Sequence, residues 1–204
     1  MAERHRIEPA KPTLHNAWGH FRTITRHKFK VMGLCFRVGL YAQGLKHDLS
    51  KYTPVEFMAG ARYFKGDRSP NAVERDVTGV SAAWMHHKGR NRHHFEYWMD
   101  LGFTDEAKTQ VEFEGKPMPT RYVVEMFCDR IAACKVYQGS KYTDSSPLNY
   151  FLSKPDSRFM HPDTAKLLLK MLKLLARVGE RTALSLVKRD IVKARYTQGR
   201  YGRF

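Results

Sequence analysis

Apolar residues recur at helical spacing through most of this sequence, and that periodicity limits the fold more strongly than any other feature. Residues 162–178 show it best, because Leu168, Leu172 and Leu175 share one face of a helix. The polar stripe of this segment is basic and comprises Lys166, Lys170, Lys173 and Arg177. Such an amphipathic helix packs one face against a core. We therefore predict an all-α protein.

The same spacing predicts helices along the remaining chain. Residues 14–39 carry Ile24 and Leu34 on one face, before a break between Gly39 and Gly44. Only VEFEGKPM suggests a small hairpin, and no other strand pattern is persuasive. The further helices are expected over residues 45–51, 54–64, 71–87, 93–102, 120–138 and 180–195. We expect seven or eight helices in a compact bundle.

Length and composition favour one globular domain. The 204 residues suffice for a single core, which we assign to residues 1–195, with a basic aromatic tail at 196–204. No stretch approaches 18 consecutive apolar residues, and the N-terminus lacks the apolar segment of a signal peptide. We therefore expect a cytoplasmic protein without a membrane partner. Cys35, Cys128 and Cys134 lie in apolar helical patterns and are predicted to be reduced core residues.

The formal net charge of +16 implies an acidic partner, such as a nucleic acid or a nucleotide. The C-terminal stretch KRDIVKARYTQGRYGRF contains six basic residues and one acid. Its aromatic residues Tyr196, Tyr201 and Phe204 can stack on bases. The stretch is also compatible with a tail that only improves solubility, so both interpretations stay open. The sequence leaves the oligomeric state undetermined.

Asp129 falls on a helix face that the sequence predicts to be buried, between Met126 and Ala133. An ionised carboxylate is costly to bury unless it is paired or binds a cation. Arg130 points about 100° away on a helix, so it is not the natural partner. His27 similarly lies on the apolar stripe of the first helix, where a histidine is either a core residue or a ligand.

Histidines gather in two further places. His47 and Asp48 are adjacent in LKHDLSKYTP, and AWMHHKGRNRHHFEYW contains two His–His pairs. Imidazoles suit Zn, Fe, Mn or Ni, and carboxylates together with imidazoles but no thiolate favour a divalent Mn, Fe, Ni or Mg site over a structural zinc. We therefore predict one or two divalent metal ions as cofactor.

The order His27, His47–Asp48, a histidine cluster at 86–94 and Asp129 on an all-α chain resembles the HD superfamily, whose members are mostly metal-dependent phosphohydrolases. The resemblance implies an HD-type helical domain in which His27, His47, Asp48 and Asp129 bind a first metal. In binuclear members, further histidines bind a second metal. The candidates here are His86, His87, His93 and His94, of which at most two are expected to be ligands. The predicted site includes His86, His87 and His94.

HDLSK is similar to the HD-x-x-K variant of that superfamily. The similarity implies that Lys51 contacts phosphate or assists the leaving group, and that Lys51 and Asp48 are the catalytic residues. Phosphate is expected to bind Lys51 together with Lys88, Arg90 and Arg92, and less so Arg62 and Arg68. Glu56 is either a support for a ligand, a general base or a surface carboxylate.

The whole chain also resembles an uncharacterised bacterial and phage family over roughly residues 20–170. That family carries HDLSKY-x-P-x-EF, RSP, AW-x-HHKGRN-x-HH-x-EYW, MP-x-x-Y-x-x-EM-x-CD and MHPDT, all of which occur here in this order. This resemblance is specific in its motifs but implies no reaction.

Three functions fit these observations. The first is a metal-dependent phosphohydrolase that acts on a nucleotide or another phosphate ester through metal-activated water. The second is a non-enzymatic nucleic-acid-binding protein, which the net charge favours. The third is a di-iron oxygenase of the HD type, which would need both metal positions filled with iron.

Overall fold

Eight α-helices form most of the described part of the chain, which comprises residues 11–103, 105–106 and 108–193 of the computed structural model. A two-stranded antiparallel sheet is the only sheet in these ranges. The all-α prediction is therefore confirmed. The helices are α1 Leu14–Val38, α2 Tyr41–Lys46, α3 Pro54–Arg62, α4 Pro70–Thr78, α5 Ala82–Lys88, α6 Thr120–Gln138, α7 Ser146–Ser153 and α8 Pro162–Leu186. The strands are β1 Met99–Phe103 and β2 Val111–Gly115.

Short helical segments connect these elements. Four are 3₁₀ turns, Leu49–Tyr52, Phe95–Trp98, Gly139–Lys141 and Pro155–Phe159, and a π-helical segment, Val187–Lys193, continues α8. The predicted tail at 196–204 lies outside the described residues, and the predicted domain limit stays a prediction. None of the described helices combines the length and the apolar character needed to cross a membrane.

Two glycines at the start of the bundle have different roles. Gly39 ends α1 in the left-handed region with φ 89°, as its position in the sequence predicts. Gly44 lies inside α2 rather than at a break, because α2 packs closely on α1. A Cβ atom at residue 44 would lie 3.0 Å from the Cβ atom of Cys35. The helix predicted over residues 45–51 is not formed, because the backbone leaves the helical region at His47, where ψ is 126°, and a 3₁₀ turn follows at Leu49–Tyr52.

The structure corrects two predicted helix boundaries and confirms a third. Residues 71–87 form two helices because Gly79 adopts φ 82° and the Ser81 hydroxyl caps α5 by accepting a hydrogen bond from Trp84 N. Residues 99–103 form β1 instead of ending a helix, since they pair with β2 in the register Leu101↔Phe113. The break that the sequence predicts between residues 178 and 180 is confirmed, because Gly179 leaves the helical region with φ 76° and ψ 162° inside the span Pro162–Leu186.

The core lies where α1, α6 and α8 meet. Val31, Phe127, Leu168 and Leu172 are completely buried there, and each such side chain contributes about 1.5–3 kcal/mol through its burial. Cys35, Cys128 and Cys134 are buried free thiols, so the prediction that they belong to the core is confirmed. Because α6 is buried over most of its length, it fixes the position of any side chain that it carries.

Glu180 connects three elements beside the kink of α8. Its carboxylate accepts a hydrogen bond from Arg37 of α1 at 2.6 Å and another from Lys135 of α6. Its backbone N–H donates to Asp144 Oδ2 at 3.0 Å. Burial opposes ionisation of Glu180, but the hydrogen bonds from Lys135 and Arg37 outweigh it and hold the pKa of Glu180 below its ordinary value.

Replacing Glu180 by Gln is expected to lower the free energy of unfolding by about 1–2 kcal/mol at neutral pH, because two cations lose their partner. The pKa of Glu180 is lower in the folded protein than in the unfolded chain, where it is about 4.3. The ionised carboxylate therefore stabilises the fold above about pH 4.3, and this stabilisation is lost as the pH falls through the folded-state pKa. Urea unfolding should therefore show that the free energies of unfolding of the unchanged protein and of Glu180→Gln become more similar below about pH 4.

Asp76→Asn provides the control for this prediction. Asp76 pairs with Arg68 at 2.7 Å, but both side chains are about half exposed. Its loss should change the free energy of unfolding by less than about 0.5 kcal/mol. An equal effect of the two substitutions would show that Glu180 does not connect the helices in the way described.

Candidate metal centre

A sharp turn places His47 and Asp48 side by side at the end of α2. His47 is the C-cap residue of α2, and Asp48 adopts the left-handed conformation with φ 53° and ψ 27°. Few residues other than glycine adopt this conformation, and aspartate is among those that tolerate it best. Both residues are 2% exposed. The strained turn thus directs two adjacent polar side chains into the interior.

The first group of candidate ligands consists of His27 from α1, His47, Asp48 and Asp129 from α6. One donor atom of each lies within 4.8 Å of the donor atoms of the others. His27 Nε2 is 2.9 Å from Asp129 Oδ1, and His47 Nε2 is 3.4 Å from Asp48 Oδ2. The four residues that the HD resemblance assigns to a first metal therefore lie together.

The second group shares Asp48 with the first and adds His87, His93 and His94. His87 Nε2 lies 3.2 Å and His93 Nε2 3.4 Å from Asp48 Oδ1. His94 Nε2 is 2.9 Å from His87 Nε2. The two carboxylate oxygens of Asp48 consequently face different groups, as in a carboxylate that bridges two cations.

Several of these atoms are buried without a hydrogen-bond partner among the described residues. They are His27 Nε2, His47 Nε2, His93 Nε2 and Asp48 Oδ1. His27 Nε2 is near Asp129 but is not oriented for a hydrogen bond to it. An unsatisfied buried polar atom costs about 1–3 kcal/mol, so four that converge on one volume need a common partner. The buried His and Asp groups can hold a metal ion, and their donors do not fix its identity.

Two glutamates orient the imidazoles. Glu125 Oε1 lies 2.9 Å from His47 Nδ1 and 3.3 Å from His93 Nδ1. Glu56 contacts the Nδ1 atom of His87 at 2.7 Å. A proton on Nδ1 that is donated to a carboxylate leaves Nε2 as the free lone pair, which is the form that binds a metal.

The electrostatic field at the centre favours positive charge. Burial opposes ionisation of Asp48, but His47, Lys51 and His87 outweigh it and hold the pKa of Asp48 well below its ordinary value. The pKa of Asp129 is lowered against burial by His27 and His47. Burial lowers the pKa of His47, yet Asp48 and Asp129 raise it well above 6.5 overall. Both aspartates are therefore ionised, which favours a cation beside them.

Three residues lie differently from what the sequence pattern predicts. His86 belongs to neither donor group of the described residues and instead contacts Glu56 at 2.6 Å through Nδ1. His93, which the sequence pattern does not include in the predicted site, belongs to the second group. Glu125, which the sequence pattern does not indicate, is a possible donor beside His47 and His93. Its spacing of four residues from Asp129 puts both on one face of α6, and that spacing is the signal that identifies it.

A cleft of about 1180 Å³ opens onto the centre. His27, His94 and Asp129 line it, and so does the predicted phosphate ligand Lys51, whose Nζ lies 2.6 Å from Asp48 Oδ2. The further cations in its wall are Arg68, Arg75, Lys88, Arg130 and Lys154.

Two predicted phosphate ligands lie elsewhere. Arg90 and Arg92 are exposed and are not among the described residues that line the cleft. Arg90 donates to the carbonyl oxygen of His86 at 3.3 Å, and Arg92 contacts the hydroxyl of Tyr122 at 3.4 Å. Arg62, a weaker candidate, is exposed at the end of α3 and is not a lining residue either. Of the sequence-predicted arginines, only Arg68 faces the cleft.

Fold and centre together define an all-α protein with a buried His/Asp cluster that is able to bind metal. The chain belongs to the family of unknown function DUF5662, whose model matches residues 16–174. That range contains every donor of both groups. Neither the curated proteins nor the solved structures provided a significant match. The likeness to the HD superfamily therefore depends on the order and geometry of the donors alone.

The shared carboxylate gives a prediction about metal content. Asp48→Asn should reduce bound metal at both groups at least tenfold, because Asp48 is common to them. Asp129→Asn should empty only the first group. Both changes preserve side-chain shape, and asparagine tolerates the left-handed backbone of residue 48. Inductively coupled plasma mass spectrometry after reconstitution with Mn, Fe, Ni or Zn measures the equivalents, and unchanged content in Asp48→Asn contradicts the assignment.

The adjacent histidine pairs allow a matched comparison. His93→Gln should weaken metal binding at least tenfold, because Nε2 of His93 faces Asp48. His86→Gln should leave the affinity within about threefold, since His86 contacts only the outer oxygen of Glu56. Isothermal titration with Mn²⁺ or Zn²⁺ compares the two variants. Equal affinities, or a larger loss in His86→Gln, would refute the placement of His93 in the second group.

Proposed function

We propose that this protein is a metal-dependent phosphohydrolase that cleaves a phosphate ester of a nucleotide or nucleotide-like substrate. One observation carries the proposal: the cleft that exposes His27, His94 and Asp129 is also lined by several lysine and arginine side chains. Anionic ligands for a metal and cationic ligands for a phosphate thus face the same space. The resemblance to the HD superfamily supports the same reaction class.

The donor groups are the part of the proposal that holds the metal. His27, His47, Asp48 and Asp129 would bind one divalent ion, and Asp48 with His87, His93 and His94 a second. A bound divalent ion lowers the pKa of water and polarises a phosphoryl oxygen, which are the two requirements for hydrolysis at neutral pH. Glu56 and Glu125 keep the imidazoles in the metal-binding tautomer through the Nδ1 contacts described above.

Lys51 is the residue best placed to contact the phosphate. Its ammonium lies 2.6 Å from Asp48 Oδ2, and the side chain also lines the cleft. Burial lowers the pKa of Lys51, but the charges of Asp48 and Asp129 raise it overall, so the residue stays cationic. A cation held there neutralises charge on a phosphoryl oxygen of a substrate close to the metal ligands.

The rest of the cleft suits a nucleotide. Lys88, Arg68 and Arg75 provide further cations for phosphate oxygens, with the arginines able to bind in a bidentate manner. Trp84 and Phe95 supply aromatic surface in the same wall. Because aromatic side chains stack on nucleobases, the combination favours a substrate with both a base and a phosphate. The cleft is larger than a typical pocket for a small ligand, which leaves room for such a molecule.

The metal-loaded protein should release phosphate from members of a panel of nucleoside mono-, di- and triphosphates and phosphodiesters. Lys51→Ala should lower kcat about 100- to 1000-fold, as is typical when one stabilising group of a transition state is removed. Metal content should stay unchanged, since Lys51 is not a donor. Colorimetric phosphate detection and chromatography of the products measure the reaction.

Arg92→Ala is the matched control, because Arg92 is a cation outside the cleft and should leave kcat/KM within about threefold of the starting value. No hydrolysis by protein that contains two equivalents of metal would refute the proposal. Oxygen consumption by the iron-loaded protein, without phosphate release, would instead identify a di-iron oxygenase.

A further inference from the structure

The outer face of α8 carries a continuous row of positive charge. Lys166, Lys170, Lys173, Arg177 and Arg181 are all exposed and follow one another at spacings of three or four residues. This spacing puts the first four on one stripe of the helix, and Arg181 follows just beyond the kink at Gly179. The five residues are termed here the α8 basic stripe. The first four span about 16 Å along the axis at 1.5 Å per residue.

No acid of the described residues pairs directly with the stripe. None of its five members forms an ion pair within 4.0 Å with any residue in the described ranges. The carboxylate of Asp190, whose pKa is lowered by Arg189 and then by Lys170, is bound by Arg189 through Nε at 2.5 Å and Nη2 at 2.9 Å. Like charges three and four residues apart destabilise a helix, so the row is unfavourable in the isolated protein. An anionic partner would reverse that effect.

The stripe is separate from the candidate metal centre. The opposite face of α8, with Leu168, Leu172 and Leu175, is fully buried in the core beside α6. Asp129 lies on α6, and no member of the stripe lines the cleft. A ligand of the stripe is therefore independent of the reaction proposed above.

The stripe continues into a shallow basic hollow. Arg181 lines it together with Arg37 and Lys188, beside Leu184 and Ser185. Arg37 is already held by Glu180, whereas Arg181 and Lys188 have no ion pair with a described residue. The positive surface thus extends beyond the kink at Gly179 to the end of α8.

We propose that the α8 basic stripe binds the phosphate backbone of a nucleic acid. A duplex presents one phosphate per 3.4 Å on each strand, so a 16 Å row of cations faces about five phosphates. An anionic membrane is the other polyanion to consider. Interfacial helices insert an apolar face into lipid, but the apolar face of α8 is buried, and no large apolar side chain is exposed in residues 160–193. Lysine and arginine contacts to phosphate oxygens carry no sequence information, so we expect the stripe to bind the backbone without recognising bases.

The test uses the full chain and a fluorescein-labelled 20-base-pair duplex of random sequence, with fluorescence anisotropy at several salt concentrations. The stripe variant changes Lys166, Lys170, Lys173 and Arg177 to Gln. The dispersed variant changes Lys11, Arg22, Lys46 and Lys65 to Gln, which are exposed cations elsewhere in the fold. Both variants lose four positive charges. All substituted residues are exposed, and circular dichroism checks that each variant is folded.

We expect the stripe variant to bind the duplex at least tenfold more weakly at low salt. The slope of the logarithm of the binding constant against the logarithm of the salt concentration should become less negative by about 3, because up to four phosphate contacts are lost. The dispersed variant should stay within about threefold of the unchanged protein. Hydrolytic activity of the stripe variant should be preserved on a mononucleotide, which separates this inference from the proposed reaction.

Three results would overturn the inference. The first is an equal loss in both variants, since it would show that net charge rather than the stripe determines binding. The second is duplex binding that the stripe variant retains in full. The third is a protein that sediments with vesicles of phosphatidylserine and phosphatidylcholine but binds no duplex, which would assign the stripe to membranes.

Discussion

Excluding the carboxylate of Asp48 from water costs several kcal/mol unless positive charge surrounds it. In this fold Lys51 supplies a positive charge at one oxygen, and the Nε2 atoms of His47, His87 and His93 lie 3.2–3.4 Å from the carboxylate. The helices that carry these groups are arranged around that single residue. The inward direction of the carboxylate requires the left-handed backbone conformation of residue 48, which is unfavourable by itself. The contacts of the Asp48 side chain with Lys51 and the imidazoles hold it there.

The supporting helix α6 shows how a core element determines a site. Glu125 and Asp129 lie one turn apart on its buried surface, one orienting imidazoles and the other offering an oxygen to the interior. The remainder of α6 packs against α1 and α8 with fully buried side chains such as Phe127 and Ile131. A shift of α6 would disturb the apolar core and the donor geometry at the same time, so the site gains rigidity from packing.

The sequence predicts the helical class because apolar spacing in α1, α6 and α8 is regular over many turns. It also identifies Asp129, since a charged residue on an apolar face is conspicuous. Arg130 does not pair with it, and the Cζ atom of Arg130 lies 5.5 Å from the ring centroid of Phe151. It does not decide between His86 and His93. Neighbouring residues on a short helix or turn point in different directions, and the backbone angles that determine this depend on tertiary contacts such as that of Glu56. The strand at 99–103 is missed for a similar reason, because its partner lies across a turn.

The donors of the first group are far apart in the chain although they are close in space. His27 and Asp129 are separated by about 100 residues, so an ion that binds both would close a loop of about half of the chain. A permanent link over such a loop stabilises a protein by about 4–5 kcal/mol through the entropy of the unfolded chain. A metal ion is a reversible link of this kind, available only at sufficient free concentration. Metal binding at the first group would therefore couple the folding of this chain to the supply of metal in its surroundings.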